Sequence, residues 1–428
     1  MNSTRFFPLF SSAIFSLGLL LALPALAQTD RHVDAASGSD SGNDCANVAS
    51  PCATIAHAVG QSIPGDRVLV MAGVYTESLA IDRNIEIVGG GEGETIIQAA
   101  AGPAEVTQRV FLVEPGQRLE LAHLTVRHGF ADGSSSSSRR GGGIYVDGGE
   151  LDLAYVVLEH NRAHNAGGAI YNDGGTVTML HTDLRNNIAR NLSGAGGNGG
   201  AITLVNGASV DGLNSYLRGN EAARGGAIHT SSGSSLILTN VALTGNSTTN
   251  HGGAVVNVAG QPQFTNVVFS ANRTDGEGGG LYSQSSGAAP LIRNSVFWNN
   301  QDSEGIGSPT ASIFNSALTN TSISHSLVQG CGASGGGWNE DCGEDMGGNR
   351  PNQNPNFIDP VSPASAPTSQ GYFRQNTGSP VIGQGNNSYI AGVNTDLDGW
   401  QRIIDGVVDL GAYEFGNDIL FRDRFEEE

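Results

Sequence analysis

The chain of 428 residues contains no lysine. Its 21 basic side chains are all arginine, set against 41 acids, for a net charge of −20. The missing amine excludes Schiff-base chemistry and a lysine general base. The acidic balance argues against nucleic acid and anionic membrane surfaces, since both require a basic footprint. It also disfavours polyanionic glycans unless a local arginine patch overrides it. Aromatic residues are sparse, at 6%, and cysteines number four. Beyond residue 27 no apolar run is long enough to cross a bilayer, so no transmembrane anchor is expected in the mature chain.

What the chain has in excess is glycine, 62 residues, about twice the ordinary share and without a three-residue period. Gly-Gly begins at Gly141, Gly167, Gly199, Gly225, Gly252 and Gly278, in steps of 26 to 32 residues. Each repeat closes on Leu or Phe, two residues, then Asn: Asn161, Asn187, Asn220, Asn246, Asn272 and Asn300. Short apolar runs broken by turns lie between. This period predicts an all-β solenoid, a parallel β-helix with three short strands per coil. One coil cannot bury its apolar face alone, so stacking must close the core. Ile144, Ile170, Ile202, Ile228, Val255 and Leu281 are expected as one inward column. Leu158, Leu184, Leu217, Leu243, Phe269 and Phe297 are expected as a second. The Asn column is expected as a buried ladder of amides.

Residues 1–27 read as a secretory signal: Arg5, an apolar run from Phe6 to Leu23, and a small-x-small site at Ala25 and Ala27. A retained anchor is the alternative. Cleavage near Ala27 would deliver a secreted or outer-membrane-associated protein. An oxidising compartment favours disulfides, and the two local pairs, Cys45 with Cys52 and Cys331 with Cys342, are preferred among three connectivities. Zinc is the poorer reading of these spacings. Residues 28–107 are expected as an N-terminal cap and first coil, with a short helix carrying Ile55, Ala58 and Val59 over the open end. Residues 108–330 follow as β-helix repeats and 331–378 as a loop or linker held by the second cysteine pair. Residues 379–415 read as a closing segment and 416–428 as an acidic tail.

On such a solenoid, groups that act together stand at equivalent places of adjacent coils. The residue before each Gly-Gly includes Arg224, His251 and Glu277 on consecutive rungs. An arginine that neutralises a carboxylate, a base and an acid suit proton abstraction, while a solvated turn edge explains the same residues. Tyr145, Tyr171, His229 and Tyr282 follow the first inward column, and alternation aims them outward, where rings stack on sugars or simply pack across strands. Asp396, Asp398, Asp405 and Asp409 offer oxygen ligands, so calcium is the one cofactor weighed, against a structural role with Arg402 pairing one acid. Otherwise no cofactor is expected.

The Gly-Gly-Ala-Ile start and the Leu/Phe-x-x-Asn end resemble the repeats of polymorphic outer-membrane proteins, which implies a right-handed parallel β-helix. The entry DCANVASPCATIAHAV, followed by GDRVLVMAGVYTES, is similar to the opening of pectin-lyase-like secreted proteins. The close, SPVIGQGN and then NTDLDGWQRIIDGVVDLGAYEF, resembles the choice-of-anchor Q segment. Asp396, Asp398, Gly399, Arg402, Asp409, Gly411, Ala412 and Glu414 match it, and Gly383 replaces its usual Asp. The final ILFRDRFE resembles a C-terminal tail of exported proteins from some Gram-negative bacteria. These likenesses imply fold and export. The expected function is extracellular, adhesin-like binding, with polysaccharide as the expected partner. The alternative is a polysaccharide lyase or glycoside hydrolase acting on uronic-acid-containing polysaccharide, and a structural spacer is a third class.

Overall fold

The computed structural model describes residues 28–191, 196–316 and 318–416. The expected signal peptide, four residues of the insert after Asn191, and the tail beyond Gly416 lie outside the described residues.

The coil from Gly225 to Asn246 shows how the repeat folds. Gly225 has φ +66°, a left-handed conformation that a side chain disfavours. Gly226 is needed for a different reason: a Cβ there would lie 2.2 Å from the Gly253 carbonyl oxygen of the next rung. Strand Ile228–Thr230 then places Ile228 in the core. After a turn, strand Ser235–Thr244 points Leu236 and Leu238 inward, and then Val241 and Leu243. The inward step from 238 to 241 breaks strict alternation because Asn240 adopts φ +51° and bends the strand. Strand Ser247–His251 completes the coil.

Stacked coils build a right-handed parallel β-helix with three faces. A long sheet of 18 strands contains pieces such as Glu150–Glu159, a second sheet of nine contains pieces such as Ile144–Asp147, and a narrow sheet of eight contains pieces such as Arg162–Ala163. Pairing through the repeats is parallel, with Ile144 facing Ile170, which faces Ile202; in the narrow sheet the register shifts between Ala222 and Arg224. Both expected apolar columns are buried in one continuous core. Within it Phe269 and Phe297 stack, ring centroids 4.1 Å apart.

Ladder amides run through the same interior. The Oδ1 of Asn246 accepts from both the backbone N–H and the side-chain amide of Asn220, at 2.9 and 3.0 Å. Its own Nδ2 donates to Asn272 Oδ1 and to the Leu217 carbonyl, both at 2.9 Å. The pattern repeats from Asn161 through Asn187 and Asn220 to Asn272 and Asn300.

Helix Ile55–Gln61 seals the first coil with Ile55, Ala58 and Val59 inward, and Thr54 caps it by accepting from the His57 N–H. Both expected disulfides are formed. The span expected as a linker partly extends the stack, since Glu344–Asp345 pairs with Ser322–Ser324 and Asn349 donates to the Ile323 carbonyl. The closing segment lies along the flank of the long sheet. There Leu397, Leu410, Ala412 and Tyr413 pack on Ala242, Val268, Val296 and Leu327.

Candidate ligand-binding edge

The seam between the narrow and second sheets gathers the residues that precede Gly-Gly. Isolated bridges join Arg140 to Ala166, Ala166 to Asn198 and Asn198 to Arg224, and Arg224 pairs with His251. The next rung carries Glu277, whose carboxylate lies 3.9 Å from His251 Nδ1 and whose N–H donates to that nitrogen at 3.3 Å. Arg224, His251 and Glu277 are therefore neighbours. The His251 ring stacks on Tyr282 at 4.4 Å, and Tyr282 stacks on Phe314 at 5.0 Å. Burial holds His251 below the ordinary imidazole value; Glu277 pulls it up and Arg224 pushes it down.

The tyrosine column is corrected by the structure. Tyr145, Tyr171, His229 and Tyr282 sit outside the main core but are covered, at 3 to 8% exposure, and so offer no open platform for sugar rings. The cover comes from the seam itself. Arg109 lies over the Tyr145 ring and Arg140 over the Tyr171 ring, each 4.9 Å from the centroid. Arg162 lies over Phe130 at 5.5 Å. Ring faces thus hold guanidiniums in place. Tyr145 also donates to Asp173 at 3.0 Å. His229 is pushed down to about 4, first by burial and then by Arg224, so it is neutral at physiological pH. Its Nδ1 and the Nε of Arg224 and Arg162 are buried without a hydrogen-bond partner.

Among the described residues, Arg109, Arg139, Arg140, Arg162 and Arg224 form no ion pair, whereas Arg190 on the same side pairs with Glu221. On a chain of net charge −20, five unpaired cations along one seam form the local patch that an acidic ligand needs. A held guanidinium presents two parallel donors to a carboxylate.

The acids weighed for calcium are engaged by the protein. Asp396 Oδ1 accepts the Asp398 and Trp400 N–H groups at 3.0 and 2.9 Å, and Oδ2 accepts the Glu414 N–H at 2.9 Å. Asp398 binds Arg374 at 2.6 Å and the hydroxyls of Tyr372 and Tyr216 at 2.8 and 3.0 Å. Arg402 is buried and donates to the Gly411 carbonyl at 2.6 Å, with Glu414 3.8 Å away; Asp405 is exposed and apart. Among the described residues, the one set of three His, Cys or acidic ligand groups within 4.8 Å is Cys45, Cys52 and His57, whose sulfurs are joined in a disulfide.

A corner column went unrecognised in the sequence. His123, Tyr155, His181, Asn214, Asn240, Asn266, Asn294 and His325 all have φ between +43° and +55°. Asn and His tolerate that region better than most residues, and from Tyr155 to Asn294 each stands three positions before the Leu or Phe of Leu/Phe-x-x-Asn, so the signal was present. The Asn half grips the closing segment: Asn240 donates to the Thr395 carbonyl at 2.7 Å and Asn266 to the Asp409 carbonyl at 3.1 Å. The other half is a ring stack, His123 to Tyr155 at 5.0 Å and Tyr155 to His181 at 4.8 Å. Tyr155 is thus held between the two histidine rings. Beside it Arg218 and Arg185 pair with Asp183, and Arg185 with Glu159, a closed network of ions.

No protein-family model matches the chain, and no curated protein matches it. Solved structures do. The pectate lyase Pel9A aligns over 91% of this chain and 97% of its own, at TM-score 0.51 and 13% identity. A pectin methylesterase from Erwinia chrysanthemi covers 71% of this chain and 79% of its own, at 14% identity and a TM-score of 0.29, too low to carry an argument. The likeness to Pel9A is one of fold: a pectin-lyase-like, right-handed parallel β-helix. No helix among the described residues is long and apolar enough to cross a membrane.

Proposed function

We propose that this chain is an extracellular binding protein for acidic polysaccharide, and that the seam carrying Arg109, Arg140, Arg162 and Arg224 is the surface that takes the ligand. One observation carries the reading: guanidiniums braced on aromatic faces and lacking carboxylate partners, on a protein that is otherwise strongly acidic. Carboxylates spaced along a uronic-acid chain would supply the missing anions. Two disulfides fit an oxidising, exported setting. Affinity electrophoresis in polygalacturonate and in dextran tests it. Retardation is expected in the charged polymer alone, and Arg140→Gln with Arg224→Gln should abolish it. Equal migration in both gels would sink the reading.

A second reading rests on the Arg224, His251 and Glu277 neighbours. With a uronate carboxylate on Arg224, His251 Nδ1 would exchange the Glu277 N–H for the proton of the adjacent carbon, the C–O bond to the next sugar would break, and the leaving oxygen would take a proton from water. Elimination leaves an unsaturated sugar that absorbs in the ultraviolet. Turnover lost in His251→Ala would favour this reading, and a flat absorbance trace with the wild-type chain would remove it.

A further inference from the structure

A second stripe of charge runs along the first half of the long sheet. Glu86 pairs in register with Glu120, Glu120 with Asp152, Asp152 with Thr178 and Thr178 with Asp211. Glu150 stands beside it on the Asp152 strand. Arg118 contacts Glu120 at 3.1 Å, Glu150 at 3.8 Å and Asp152 at 2.6 Å, and Arg67, itself paired with Asp30, stands in register beside Glu86. Glu86 and Asp211 form no ion pair among the described residues. Five acids therefore face two arginines, one of them already paired with Asp30. The stripe begins in a shallow recess lined by Asn84, Glu86, Arg118 and Glu120.

The arginine seam and the acidic stripe lie on different sides of the coil, with the second sheet between them. No molecule can satisfy its own pair. Both are columns of the same solenoid, with a coil rise of about 4.8 Å. Arg140 and Arg224 stand three rungs apart along the seam, and so do Glu120 and Asp211 along the stripe, so two molecules side by side match charge at two points without adjusting the spacing. An irregular acidic surface has no such register.

We infer that the acidic stripe of one copy docks on the arginine seam of a second copy, side by side, so that Glu86, Glu120 and Asp211 meet Arg140 and Arg224. The contact is heterologous and leaves a free stripe and a free seam, so it propagates or closes into a ring. Net charge of −20 on each copy opposes approach over distances beyond a Debye length, about 8 Å at physiological salt, and local complementarity decides inside it. The contact is narrow, which makes it a weak and reversible one.

Sedimentation velocity of the full mature chain tests this over a concentration series up to about 1 mM. Concentration-dependent association is expected, lost in about 1 M salt. Glu86→Arg with Asp211→Arg should lower the association constant at least tenfold, by about 1.4 kcal/mol or more. Asp211 forms no ion pair among the described residues, so Asp211→Arg alone should weaken association while the unfolding transition stays at the wild-type value. Arg140→Glu with Arg224→Glu should act alike, and mixing the two double variants should restore a complex. A wild-type chain that stays monomeric, or an acidic-stripe variant that associates as the wild type does, would overturn the inference. The acidic-stripe variant leaves the arginine seam intact and should still bind polygalacturonate, so failure of self-association and failure of polysaccharide binding are read separately.

Discussion

Each rung of the interior is closed by one amide. Replacing Asn246 by Leu removes acceptors for two Asn220 donors and donors for Asn272 and the Leu217 carbonyl, all buried. Stability should fall by about 1–3 kcal/mol, measured by denaturant unfolding, because the stranded partners lose their hydrogen bonds. A change near zero would mean that the rung repairs itself. Gly226→Ala should cost about 1–3 kcal/mol or more through its contact with the Gly253 carbonyl. The ladder was legible in the sequence because a polar residue at a fixed place among apolar columns must find its partner one rung away. Coverage of Tyr145 and Tyr171 was not legible. It depends on where Arg109 and Arg140 reach, and side-chain reach across rungs leaves no period in the sequence.

The closing segment differs from the coils in how it is held. Its acids Asp396, Asp398, Asp409 and Glu414 are largely withdrawn from water, with Arg374 and Arg402 beside them. Burial raises Asp396 from 3.8 to about 6 and Glu414 from 4.5 to about 8, with like charges adding. Protonation therefore favours the docked segment. That contribution is complete below about pH 4 and is lost as pH rises through about 6 for Asp396 and about 8 for Glu414. Amide exchange over residues 396–414, corrected for intrinsic rates, should be faster at about pH 8.5 than at about pH 6. Equal protection at both values would contradict this. The segment's place on the flank was not legible either, since it has no repeat. The one clue was the Asn-rich half of the corner column, Asn214 to Asn294, whose amides are too many for a solvent-facing turn and instead meet the Thr395 hydroxyl and the segment's backbone carbonyls.

At the scale of the whole molecule, a solenoid turns single residues into stripes. A side chain repeated at one place in the coil becomes a line of charge or rings along the rod, and the rod has three faces on which such lines differ. The arginine seam and the acidic stripe are two such lines on one acidic protein. Calorimetric titration of galacturonate oligomers into the wild-type chain and into the Arg140→Gln, Arg224→Gln variant tests the central claim most directly. Binding by the wild type that weakens as salt is raised, and at least a tenfold loss in the variant, about 1.4 kcal/mol or more, is the predicted result. No heat with the wild type, or equal affinity in the two proteins, would contradict it.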